Sequence, residues 1–130
     1  MANAGRKRSG RKKRVSARST RRKSTPRAVL ILAAYPGREL AEDAARKLVQ
    51  AGVLACATVT AGQAFYFWEG HEHAEPSAIL QGKTTAARAP EAQRLIQESH
   101  PDKVPEILIL EVAGGHPEYL AWVGKQVAPK

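Results

Sequence analysis

Four histidines, one cysteine and twelve carboxylates are the side chains of this 130-residue chain with the chemistry to hold a metal ion or move a proton. His71-Glu72-His73 stands in a polar stretch between two strand-like runs. Residues two apart share a face of an extended chain, so two imidazoles there can hold a borderline divalent ion. A solvated turn has the same composition. Cys56, between Ala55 and Ala57, is either a small buried residue or a thiolate ligand. His100 ends a helical stretch, where a ring can serve the helix dipole as well as a metal. His116 precedes Pro117 and reads as helix-entry chemistry. Lys83 is the remaining oddity. It shares a strand face with Ile79 and Gln81, so it must reach solvent, pair with a carboxylate such as Glu69 or Glu106, or face a polar cavity between subunits. No nucleophile–base motif, Gly-rich phosphate loop, Cys-x-x-Cys pair or His-Glu-x-x-His sequence occurs. The pattern argues against an enzyme.

The elements that must position these residues follow from hydrophobic period. Residues 28–35 (AVLILAAY) form a continuous apolar run of strand length, expected to be buried on both sides. Pro36-Gly37 ends it. Residues 39–50 turn helical, with Leu40, Ala41, Ala44, Ala45, Leu48 and Val49 on one stripe and Glu42/Arg46 and Asp43/Lys47 as i,i+4 pairs. Residues 53–60 return to a strand, and Gly62 is expected to turn into a hairpin over residues 64–85, with its turn at residues 71–76. A second helix starts at Ala89-Pro90-Glu91 and stops at His100-Pro101; Pro90 is tolerated in a first turn. Residues 104–113 make a further buried strand, and Pro117 opens a last helix. The order β-α-β-β-α-β plus a closing helix is an α+β, ferredoxin-like arrangement with both main helices on one face of an antiparallel sheet. Phe65 and Phe67 point one way along the hairpin and Tyr66 and Trp68 the other. Apolar groups on both faces of so small a sheet call for a partner chain.

Charge divides the chain. Residues 1–27 hold twelve of the 21 Lys/Arg and no acid, which leaves nine bases against twelve acids, a net −3, for residues 28–130. The first 27 residues have too little apolar mass to offset the ordering entropy and are expected to be a disordered tail ahead of one folded domain, residues 28–130. The clusters Arg11, Lys12, Lys13, Arg14 and Arg21, Arg22, Lys23 can neutralise phosphates of a nucleic acid or other polyanion; a solubilising extension has the same composition. One cysteine excludes an intramolecular disulfide and fits a reducing, cytoplasmic setting. No apolar run approaches the roughly 20 residues of a membrane span, so no membrane partner is expected.

Several motifs together resemble a known family. Trp68-Glu69-Gly70, Gly82-Lys83-Thr84-Thr85, His100-Pro101 followed by Val104-Pro105-Glu106, and Tyr119-Leu120-Ala121-Trp122 are similar to the CutA divalent-cation-tolerance proteins, and Leu54-Ala55-Cys56-Ala57-Thr58 suits their second strand. The match spans about residues 28–127 and leaves the tail outside. The resemblance implies a ferredoxin-like protomer in a tight, PII-like homotrimer, cytosolic and linked to tolerance of copper and other divalent ions. In some members a cysteine near the end of the first strand and a His-His pair before a proline are associated with copper. Here Ala33 and Ser99-His100 occupy those positions, and Asp102 replaces the usual tyrosine. The metal set expected is therefore His100, Cys56 and Asp102, for Cu(II) or another divalent ion, with no organic cofactor. The expected inter-subunit cleft is lined by Trp68, Glu69, Lys83 and Glu106.

Overall fold

The computed structural model describes residues 26–129. The basic clusters of the tail lie outside the described residues. Four strands and three helices follow in the order β1 (Ala28–Tyr35), α1 (Arg38–Gln50), β2 (Cys56–Trp68), β3 (His71–Thr85), α2 (Ala89–Ser99), β4 (Ile107–Glu111) and α3 (Pro117–Val127). The sheet order is β2-β3-β1-β4, every neighbouring pair antiparallel. This is the ferredoxin-like arrangement the sequence predicts.

β1 is not buried on both sides. Its residues alternate, with Val29, Ile31, Ala33 and Tyr35 buried and the residues between them half-exposed. Helices α1 and α2 cover only the first set, so a continuous apolar run here marks one covered face and one bare one. The core joins those four residues to Ala78 and Leu80 of β3, Ala41 and Leu48 of α1, and Ala89, Ala92 and Ile96 of α2. Gly82 belongs to this layer because a Cβ there would stand 2.7 Å from Leu54 Cδ1. On α1, Asp43 pairs with Lys47 at 3.3 Å as expected, whereas Glu42 reaches back to Arg38 at 3.1 Å instead of forward to Arg46. Both pairs are exposed and add little stability.

The hairpin departs most from the sequence reading. Gly62 is no turn: it sits inside β2 opposite Ser77, since a ladder tolerates a residue without a side chain where no layer packs on it. The turn is Glu69-Gly70, with φ of +53° and +80°. Positive φ at both central residues is the two-residue geometry that continues the twist of the flanking strands. Residues 71–76 are therefore strand, not turn. β1 pairs with β3 only as far as Tyr35↔Ala78, so the ribbon beyond Gly62 and Ser77 has no third strand. Pro76 falls just past that limit, where a missing N–H is tolerated. The last strand is also shorter than expected, residues 107–111 rather than 104–113; bonds from Ala34 N to Glu106 O and from Val112 N to Ala28 O close its ends.

Replacing Ile31, fully buried at the centre of this core, by alanine should lower the unfolding free energy by about 2–5 kcal/mol. Urea denaturation followed by circular dichroism measures it, and a loss under 1 kcal/mol would contradict the packing described.

Candidate functional site

Register assigns faces. Cys56↔Lys83↔Leu30↔Leu110 form one row across the sheet, and Leu32↔Leu108 lies two residues on; all point away from α1 and α2. This bare face carries Thr58, Thr60, Ile79 and Gln81 as well, and by the same alternation it continues along the ribbon through Tyr66, Trp68, His71, His73 and Glu75. Leu108 and Leu110 are 52% and 45% exposed. Phe65 and Phe67, on the opposite face of the ribbon, are each 73% exposed because the helices do not extend that far.

One end of the bare face is covered by α3. Val123 and Val127 pack with Ala55, and Cys56 Sγ stands 3.3 Å from Tyr119 Oη. Tyr119 lies beside Trp122, with ring centroids 5.7 Å apart. The thiol hydrogen bond is the largest cause that raises the Tyr119 phenol to about 12, ahead of partial burial. Lys83 Nζ donates to Thr58 Oγ1 at 3.3 Å and to Gln81 O at 3.4 Å, and no ion pair joins it to Glu69 or Glu106. Both are too far along the strands. Glu69 lies beyond Trp68, twelve positions from Cys56, roughly 40 Å at a strand rise of about 3.3 Å. Glu106 pairs beside Ala34, four residues along β1 from Leu30. Within one chain, then, Trp68, Glu69, Lys83 and Glu106 do not meet.

His100 is a structural residue in this chain. The Asp102 backbone N–H donates to its Nδ1 at 3.0 Å, which puts the ring proton on Nε2, and Nε2 donates to Ala34 O at 2.6 Å. The ring also stacks on Tyr35, with centroids 4.6 Å apart. Both nitrogens are committed, so a metal gains this ligand only by breaking the tie between β1 and the loop after α2. Cys56 belongs to the row of Leu30 and His100 binds at Ala34, a separation along β1 of roughly 13 Å. Cys56, His100 and Asp102 therefore do not converge on one ion. Among the described residues no group of three or more His, Cys, Asp or Glu side chains is placed to hold one. His116 does cap α3, its Nδ1 accepting from Glu118 N at 3.2 Å.

The sequence reading did not single out three partners. Tyr119 covers the Cys56 thiol, Thr58 receives Lys83, and on the ribbon Tyr66 donates to Glu75 while its ring stacks on His73, with centroids 4.9 Å apart and planes 9° from parallel. The Tyr66–His73–Glu75 cluster becomes legible only once the turn is placed at Glu69-Gly70, because the cross-strand pairing then follows by counting.

A short antiparallel sheet with two helices on one face and a two-stranded arm running past them is the frame of the small signalling and metal-tolerance proteins built on the split β-α-β plan. The chain belongs to the CutA1 divalent ion tolerance protein family, whose model matches residues 29–126. The divalent-cation tolerance protein CutA of Citrobacter koseri is 34% identical over 101 residues, 77% of this chain and 88% of that protein. Among solved structures, CutA from Xylella fastidiosa superposes with a TM-score of 0.74 at 31% identity over 77% of this chain and 97% of its own. One from Archaeoglobus fulgidus, described as a periplasmic divalent cation tolerance protein, gives 0.75 at 25% identity over 77% and 98%.

All three tyrosines of the chain are shifted upward: Tyr35 to about 12 by burial, Tyr119 to about 12, and Tyr66 by its hydrogen bond to the Glu75 carboxylate. A phenol whose folded pKa exceeds its unfolded value of 10 stabilises the fold below pH 10 and loses that contribution as the pH rises through 12. Absorbance at the phenolate band should therefore show no tyrosine titrating with an ordinary midpoint in the native protein, and Cys56→Ala should bring one midpoint back down. An ordinary transition in the native chain would contradict these environments.

Proposed function

We propose that the protein works as a homotrimer that responds to divalent metal ions, copper(II) foremost, and that it has no catalytic step of its own. The observation that carries this reading is the bare face of the sheet. A row of leucines on β1 and β4, with the outer edge of β4 free of a neighbouring strand among the described residues, and an arm that shows aromatic groups on both sides together exceed what a soluble monomer ordinarily leaves in water. A closed ring of identical chains removes both the edge and the patch. In such a ring the arm of one chain lies along the sheet of the next, and Trp68 and Glu69 of one subunit reach Lys83 and Glu106 of another. That cleft, which no single chain assembles, is where we assign ligand binding. Family membership supports the metal response. A single cysteine suits a reducing compartment, and we assign the protein to the cytoplasm.

Light scattering on the full chain tests the assembly. We expect three times the 14.1 kDa chain mass, with or without copper(II) or zinc(II). Leu108→Glu, which puts a charge on the bare face, should move the mass toward one chain while leaving the circular dichroism unchanged. A well-folded wild-type monomer would overturn the trimer and its cleft together.

A further inference from the structure

Of the four histidines, His100 has both ring nitrogens engaged and His116 spends Nδ1 on a helix cap. His71 and His73 are different. Among the described residues no hydrogen bond occupies a nitrogen of either ring, and they stand two apart on β3, opposite Trp68 and Tyr66, on one face of the projecting ribbon. Two strand positions span roughly 7 Å, a spacing from which two imidazoles can turn toward one ion about 2.0–2.1 Å from each nitrogen. One of the two rings is already held in place. Tyr66 lies parallel to His73 and donates to Glu75, and the Glu75 carboxylate stands 3.9 Å from His73 Nδ1. At 3.9 Å the carboxylate makes no hydrogen bond to Nδ1, but its charge favours the ring proton on that side, which leaves Nε2 free. A small turn of the ring would complete the carboxylate–histidine pairing by which proteins orient metal-binding histidines.

We propose that His71 and His73 form a copper(II) chelate on the arm, with Glu75 and Tyr66 as positioning residues and the remaining coordination positions open to water. Two imidazoles are too few for a closed structural centre, in keeping with the lack of any larger ligand group among the described residues. An open two-nitrogen chelate instead suits exchangeable binding. Copper(II) is the ion such a nitrogen pair takes most strongly among the first-row divalent metals. The site is distinct from Cys56, His100 and Asp102, which do not converge. Its biological use rests on the metal-response reading above, whereas the coordination rests on the ribbon alone.

The test is copper(II) titration of the full-length protein by calorimetry against glycine as competitor, with electron paramagnetic resonance on the half-loaded sample. We expect one copper per chain and a spectrum with nitrogen couplings. His71→Ala and His73→Ala should each weaken binding at least tenfold, and Glu75→Gln about tenfold through loss of ring orientation. These side chains lie on the arm outside the core, so folding should survive, which circular dichroism verifies. Unchanged affinity in both histidine variants overturns the site, as does copper binding abolished by Cys56→Ser. Light scattering on the same samples separates this proposal from the trimer. A trimer that binds no copper removes the arm site and leaves the assembly standing; a monomer that binds copper through His71 and His73 does the reverse.

Discussion

The two-residue turn at Glu69-Gly70 sets the register of the β2–β3 ladder, and most of the molecule's surface chemistry depends on that register. Side chains alternate with a period of exactly two in a strand, so a slip of one residue would exchange every side chain between faces. Lys83 would enter the helix-covered layer and Gly82, now pressed against Leu54, would leave it. The core resists this, because Ala78, Leu80 and Thr84 are fully buried under α1 and α2. Turn geometry and core burial therefore specify the same pairing, and each guards the other. Consistency of this kind between a local turn and a distant core is what gives a sequence a single structure.

Length is the second constraint. β1 supplies eight residues and β4 five, whereas β2 and β3 run to 13 and 15. The excess has nowhere to go except outward as a two-stranded arm. A ribbon alone has neither a third strand nor a covering helix, and isolated two-stranded hairpins are marginal in water. Here the arm is continuous with a four-stranded sheet, and Tyr66 stacked on His73 and bonded to Glu75 ties its strands together. Aromatic groups on both faces, a liability for a monomer, are what an arm needs if a neighbouring chain is to pack against it.

The sheet's two ends have separate devices. At one, α3 folds back over Cys56 and Ala55. At the other, His100 ties the loop after α2 to Ala34 and packs against Tyr35. Both histidine nitrogens and the cysteine sulfur have partners within the subunit, so residues with metal-binding chemistry serve here first as fasteners. The two histidines with no hydrogen bond to a ring nitrogen among the described residues lie on the arm.

Much of this was legible in the sequence. The helical stripe of α1, the apolar run of β1, the proline starts of α2 and α3 and the order of elements follow from local period and punctuation, because those signals act within a few residues. The motifs around Trp68, Lys83, His100 and Tyr119 were enough to place the chain in its family. What lay beyond the sequence was long-range. That β1 is covered on one side only, that Gly62 continues a strand and Glu69-Gly70 makes the turn, and that Cys56 and His100 meet the sheet at rows four residues apart along β1 are properties of register and layer order. The chain's types and spacing determined which elements form. Only the tertiary structure decided which residues meet, because meeting depends on pairing between segments that are far apart in sequence and are aligned by burial rather than by their neighbours.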